Sequence, residues 1–132
     1  MISFDYNIKV YYKDIDKMGV VYYTRYLEYF EAARTEMLKS IGLIVTDIEN
    51  KGFFLPVVSA HCDYKQGANF EDEITIRTSI KEMPKARMKI EYEVLKDDIL
   101  LASGYTIHGF IDHDGKAKRP PKLFQQVLQN YF

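Results

Sequence analysis

Tyr12-Lys13-Asp14-Ile15-Asp16-Lys17-Met18-Gly19-Val20-Val21-Tyr22-Tyr23, running into the segment Thr24 to Ser40, decides how the rest of the chain must fold. An alternating stretch ends, an acidic loop turns at Gly19, and a strongly patterned helix begins. At about 100° per residue, Tyr26, Phe30, Met37 and Ile41 share one face, widened by Leu27 and Leu38. Arg25, Glu28, Ala32, Glu36 and Lys39 take the other side. Gly42 is a C-terminal stop, and Lys39 sits in the last turn, where cations are favoured. An apolar arc this wide calls for a sheet laid over it. The core is expected to form around this helix.

The same stretch carries chemistry. Asp16 falls close to the helix start, where the first backbone N–H groups lack partners. Those donors, with about half a positive charge from the aligned peptide dipoles, suit a carbonyl oxygen that is becoming an oxyanion. A carboxylate beside them is the kernel of a hydrolase. Taken alone, a loop aspartate more commonly hydrogen-bonds nearby backbone and does nothing else; that remains the reading of Asp14. Arg34 interrupts the apolar arc beside Phe30 and Ile41, and a buried guanidinium must be paired. Glu31, one turn back, and Asp14, from the loop, are its two candidate partners, and the pair reads as structural.

Tyr12-x-x-x-Asp16-x-x-Gly19-Val20-Val21-Tyr22-Tyr23, continuing into Tyr29-Phe30-Glu31-x-x-Arg34-x-Glu36, resembles the signature of the 4-hydroxybenzoyl-CoA and YbgC-like acyl-CoA thioesterases of the hotdog-fold superfamily. Segments Pro56 to Ile76 and Ala102 to Pro121 also read like this family's strands, so the resemblance spans nearly the whole chain. It implies that Asp16 is the catalytic carboxylate, acting as nucleophile or as general base on water. It implies that the backbone N–H of Tyr23 polarises the thioester carbonyl, and that Tyr12 stands near the carboxylate. YbgC-like members often carry His where this chain has Tyr23, so a mechanism using an imidazole there is not expected; the backbone donor needs no side chain. Coenzyme A would enter as part of the substrate, with no metal or other cofactor. A homodimer or homotetramer, with the active site between two subunits, is also implied.

Working outward, Phe4 to Tyr12 alternates, with Phe4, Tyr6, Ile8 and Val10 on one side, as a half-buried strand does. Leu43 to Gly52 reads as a connection with a helical turn. Phe53 to Lys65, apolar on both faces, reads as a strand covered by the helix and by a partner, and Gln66 to Asn69 as a turn or bulge. Glu71 to Lys81, Lys85 to Leu95 and Ile99 to Ile111 are three more strands, with a hairpin-type turn at Asp112-His113-Asp114-Gly115 and a final helix in Lys122 to Tyr131. One long helix followed by antiparallel strands is an α+β layout, about five strands wrapped round a central helix in a single domain, 1–132.

Lys85, Arg87 and Lys89 put three cations in a row on a predicted strand, continued by Glu91 and Glu93. Such rows are usually solvated, yet coenzyme A carries phosphates that cations would hold, and the resembled family uses basic residues in this neighbourhood. Ser59 lies near where that family contacts substrate. His61, His108 and His113 share no spacing that builds a metal site, and Cys62 reads as a small buried hydrophobe.

The composition narrows the classes. With 132 residues the chain has the length of one domain, and 18 Lys+Arg against 19 Asp+Glu, a net charge of −1, offers no pull toward nucleic acid. Neither a leader-like start nor a run of roughly 20 apolar residues is visible, so a cytoplasmic protein without a membrane span is expected. Eleven Tyr and no Trp put many rings in the core or an interface. Two functions follow from the resemblance: an acyl-CoA thioesterase, or a hotdog module that binds acyl-CoA without turning it over.

Overall fold

The long helix lies where the apolar arc required it, on one face of an antiparallel sheet. The computed structural model describes residues 1–132. Its elements are β1 (Ile2–Lys9), α1 (Arg25–Ser40), α2 (Val45–Asn50), β2 (Val57–Tyr64), β3 (Glu73–Ile80), β4 (Met88–Lys96), β5 (Ile99–His108) and α3 (Lys122–Leu128). The sheet order is β1-β3-β4-β5-β2. Alternation sets the two faces. Ile74, Ile76, Thr78 and Ile80 of β3, and Met88, Ile90, Tyr92 and Val94 of β4, are buried under α1. The outer face carries charge: Arg77 pairs with Asp5 at 3.0 Å and Lys81 with Glu91 at 3.6 Å.

Helix α1 buries Tyr26, Tyr29, Phe30, Ala33, Met37 and Leu38. Leu27, expected to widen that face, is exposed instead, and Tyr29 and Ala33 take the contact. The ring of Phe30 stacks on Tyr92 with centroids 4.1 Å apart and planes 7° from parallel. Burying a ring of this size stabilises by about 1.5–3 kcal/mol. The close approach depends on Gly104, where a Cβ would lie 2.2 Å from the His61 carbonyl oxygen and 3.0 Å from the Phe30 ring.

The strands are shorter than the sequence suggests, and three of the differences bear on the site. The segment 53–56 joins the sheet only through the Phe54–Ile111 bridge before β2 begins. Strand β5 stops at His108, ahead of Gly109. Lys85 and Arg87 lie in the bend before β4, so only Lys89 of the three cations is on the strand. The predicted turn is present: both Asp114 and Lys116 donate backbone N–H groups to Asp112 Oδ1, at 2.9 and 3.0 Å. Phe124 of α3 meets Phe110 edge-on at 5.5 Å. No helix is long and apolar enough to cross a membrane.

Each edge strand has one bonded neighbour, β3 for β1 and β5 for β2. Val57, Val58 and Tyr64 on β2 are all exposed. A strand that is apolar and unpaired along one side is a template for another strand.

Candidate active site

The acidic loop is held from both sides. Ile15 and Val21 form an antiparallel bridge, and the Asp16 N–H donates to the Val20 carbonyl at 2.9 Å. Gly19 turns the loop with φ +80°, a conformation that strains any side chain. Val21 N–H then donates to the Ala68 carbonyl at 2.9 Å, which ties the loop to the segment after β2. There Gly67 packs so close that a Cβ would lie 2.6 Å from Val20 Cγ1. Buried Asp14 fixes the other flank: its Oδ2 accepts the Tyr11 N–H at 2.9 Å, and its carbonyl accepts the Tyr22 N–H at 2.8 Å. Burial first, and the Asp14 carboxylate after it, push the Tyr29 phenol above the ordinary tyrosine range.

Within this frame the Asp16 Oδ1 accepts the Met18 N–H at 2.8 Å, the local bond expected of any loop aspartate. Its Oδ2 has no protein partner, and the side chain is half-buried. Asp16 and Tyr23 line one cavity of about 280 Å³, together with Met18, Val21, Tyr26 and Tyr64. The Tyr23 N–H, two residues before α1, donates to no group of the protein. The Tyr23 carbonyl, by contrast, is anchored, accepting the Tyr64 hydroxyl at 2.9 Å. Loss of water around that hydroxyl, then the neighbouring Cys62 thiol, push the Tyr64 phenol up to about 12, so it is a donor at any ordinary pH. The residue with the partly free carboxylate and the residue with the unpaired amide thus line the same apolar-walled opening.

Residues 10–130 match the thioesterase-like superfamily. The chain belongs to that family. Among its relatives, the acyl-CoA thioesterase YbgC of Haemophilus influenzae is 32% identical, covering 98% of this chain and 94% of its own length. A hypothetical protein from Thermus thermophilus superposes with a TM-score of 0.92 at 31% identity, over 99% of this chain and 98% of that one. A 1,4-dihydroxy-2-naphthoyl-CoA thioesterase from Synechocystis gives 0.88 at 28% identity, over 97% and 96%. The chain is thus a YbgC-like thioesterase of the hotdog fold, a thioester hydrolase.

Not every expected residue of this thioesterase meets at the cavity. Tyr12 stacks on Phe70, centroids 3.9 Å apart, is largely exposed and lines no part of the opening. Ser59 sits half-buried on β2, five residues before Tyr64, about 16 Å along a strand. Lys85, Arg87 and Lys89 lie at that same far end, where Met88 pairs with His108; Arg87 and Lys89 line a separate cavity of about 210 Å³. The Lys89 ammonium stands over the Tyr105 ring, 4.7 Å from its centroid. His61 bonds Asp63 at 3.0 Å and stacks on Tyr105, and burial pushes the Cys62 thiol up. No three His, Cys, Asp or Glu side chains gather into a metal-binding group.

Sequence reasoning missed Tyr64 and Tyr26, which wall the cavity with Asp16. Tyr64 is 41 residues from the carbonyl it holds, and no local pattern encodes a contact of that span. Its one signal was an aromatic ending a strand immediately before the Gly67 turn.

Proposed function

We propose that this thioesterase hydrolyses an acyl-CoA to the free acid and coenzyme A, with Asp16 as nucleophile or general base. The observation that supports this most is the shared cavity, lined both by Asp16, one of whose oxygens has no protein partner, and by Tyr23, whose N–H is unpaired. The thioester oxygen accepts the Tyr23 N–H, which strengthens as negative charge develops on it. Asp16 then either attacks the carbonyl carbon, giving an anhydride that water cleaves, or takes a proton from the attacking water; both routes expel the CoA thiolate. The test is thiol release from benzoyl-CoA and hexanoyl-CoA. Asp16→Asn is expected to lower kcat by about 10²–10⁴ while the variant still binds substrate. Binding without thiol release by the unmodified protein would replace this reading with the acyl-CoA-binding module.

The second half of the site is proposed to come from another subunit. The free edge of β2, with exposed Val57 and Val58, fits antiparallel pairing with β2 of a second copy. Centred on Ala60 and His61, such pairing sets the partner subunit's Val57 beside Tyr64 and the partner subunit's Ser59 beside Cys62. It also brings the basic bend before the partner's β4 toward the Asp16 opening, where coenzyme A phosphates would need it. Ser59, Lys85, Arg87 and Lys89 would therefore act in trans. Tyr12, stacked on Phe70 outside the opening, is given no catalytic step in this reading. Sedimentation velocity is expected to show a dimer or a dimer of dimers; a monomer at every concentration would remove this half of the reading.

A further inference from the structure

A second cavity, of about 200 Å³, lies farther along α1, walled by Leu38, Val45, Leu55, Met88 and Ile90 with Arg34 and His108 among its polar groups. Arg34 is eleven residues beyond Tyr23, about 16 Å along a helix axis, so the two cavities are separate. Arg34 is the interruption in the apolar arc, and its guanidinium side chain is only 16% exposed. Of the two partners open to it in the sequence, Asp14 is engaged elsewhere; Glu31 is its one ion-pair partner, at 4.0 Å and 74% exposed. A buried cation ordinarily needs a close counter-charge. This one has a distant, solvated carboxylate.

The groups on its inner side supply no anion. Burial above all, and the Arg34 cation, hold His108 below the ordinary histidine range against the Leu55 carbonyl, so its ring is neutral. A neutral ring that donates from Nδ1 to the Leu55 carbonyl, at 3.1 Å, must accept at Nε2 from the Thr106 hydroxyl, at 2.9 Å. Thr106 then accepts from Tyr92, at 2.6 Å. Every proton in the chain points toward Leu55, leaving the Tyr92 oxygen as a neutral acceptor facing Arg34. Its phenol, raised by burial, stays protonated.

From this we infer a binding site for a small carboxylate with a compact apolar body. The carboxylate pairs with Arg34 at the edge of the cavity, displacing Glu31, and the body fills the space between Leu38, Val45, Leu55, Met88 and Ile90. The volume suits a benzoate or a short branched acid, since a cavity of about 150 Å³ accommodates benzene. The inference needs no hydrolysis at Asp16, and it holds or fails independently of the proposed reaction.

Titration of the full-length protein with sodium benzoate and with 3-methylbutanoate, followed by methyl NMR, tests it. Shifts confined to Leu38, Val45, Leu55, Met88 and Ile90 are expected, with benzamide producing none. Glu31→Gln, at an exposed position, removes the competing carboxylate and should tighten benzoate about two- to five-fold. Arg34→Gln should weaken it about 10-fold or more. Since Arg34→Gln could unfold, Val45→Phe serves as a second variant that fills the cavity and should abolish the shifts with Arg34 intact. Shifts only at Met18, Val20 and Val21, equal binding of benzamide, or no shift at about 10 mM benzoate, roughly ten times a millimolar Kd, would overturn the inference.

Discussion

Replacing Tyr64 by Phe isolates the anchoring of the proposed oxyanion donor from the donor itself. The ring remains, so its edge contacts with Tyr23, centroids 6.3 Å apart, and Tyr26, 5.3 Å apart, are kept. What goes is one hydrogen bond, from the hydroxyl to the Tyr23 carbonyl at 2.9 Å. For stability that bond is worth no more than about 1.5 kcal/mol, and less at an exposed position. For catalysis the loss is larger. Complete removal of an oxyanion donor costs about 2.7–4 kcal/mol of transition-state stabilisation. Here the N–H survives, but the residue bearing it loses its link to β2, and a misplacement near 1 Å costs about 10²-fold. A fall in kcat of roughly 10-fold, below the full-donor value, is therefore expected. Steady-state thiol release from benzoyl-CoA reads kcat and KM separately, with the melting temperature as a control for folding. The Asp16 carboxylate is untouched, so the pH dependence of kcat should keep its shape. A kcat within two-fold of the parent's in a folded variant would refute the anchoring role of Tyr64.

Two further outcomes follow from the core. Gly104→Ala places a methyl against the His61 carbonyl and the Phe30 ring; overpacking of this kind costs about 1–3 kcal/mol, read as a lower urea midpoint with an unchanged slope. His108 makes stability fall on mild acidification: its folded pKa is depressed, chiefly by burial, so below about pH 6.5 the unfolded chain binds a proton that the folded chain does not. The loss begins as pH drops through the unfolded value and ends once the folded value is passed. Unfolding free energies measured between pH 7 and 5 should decline, and the decline should shrink in His108→Gln; an unchanged slope in the variant would contradict the assignment.

How much of this was legible in the sequence depends on the range of the interaction. Alternation in β3 and β4 and the arc of α1 are local patterns, and they placed the sheet, the helix and most of the core. Leu27 was misplaced because a wheel cannot tell where the sheet ends: at the first turn of α1, Tyr26 and Tyr29 meet the protein and Leu27 meets solvent. Lys85 and Arg87 read as strand because they continue the alternation that runs to Leu95, but alternation carries no information on where pairing begins, and the bend after Pro84 keeps them off the ladder. Asp16 was singled out by its place near the helix start and Tyr23 by the resemblance, and the two line one cavity. Tyr64 was not, because its contact is made by the fold.

The start and the middle of α1 pose opposite electrostatic problems. At the start, free amides and an apolar cleft would attract negative charge, and Asp16 is kept there with one oxygen tied to the Met18 N–H and the other free. Farther along, Arg34 is drawn inside by a helix face that is otherwise apolar, and the Tyr92–Thr106–His108 line presents it with neutral groups only. A purely structural arginine at that position would gain from a buried carboxylate. The chain instead places its nearest acid, Glu31, on the solvent side of the helix. A solvated partner is one that a ligand can replace, whereas a buried one would hold the site closed.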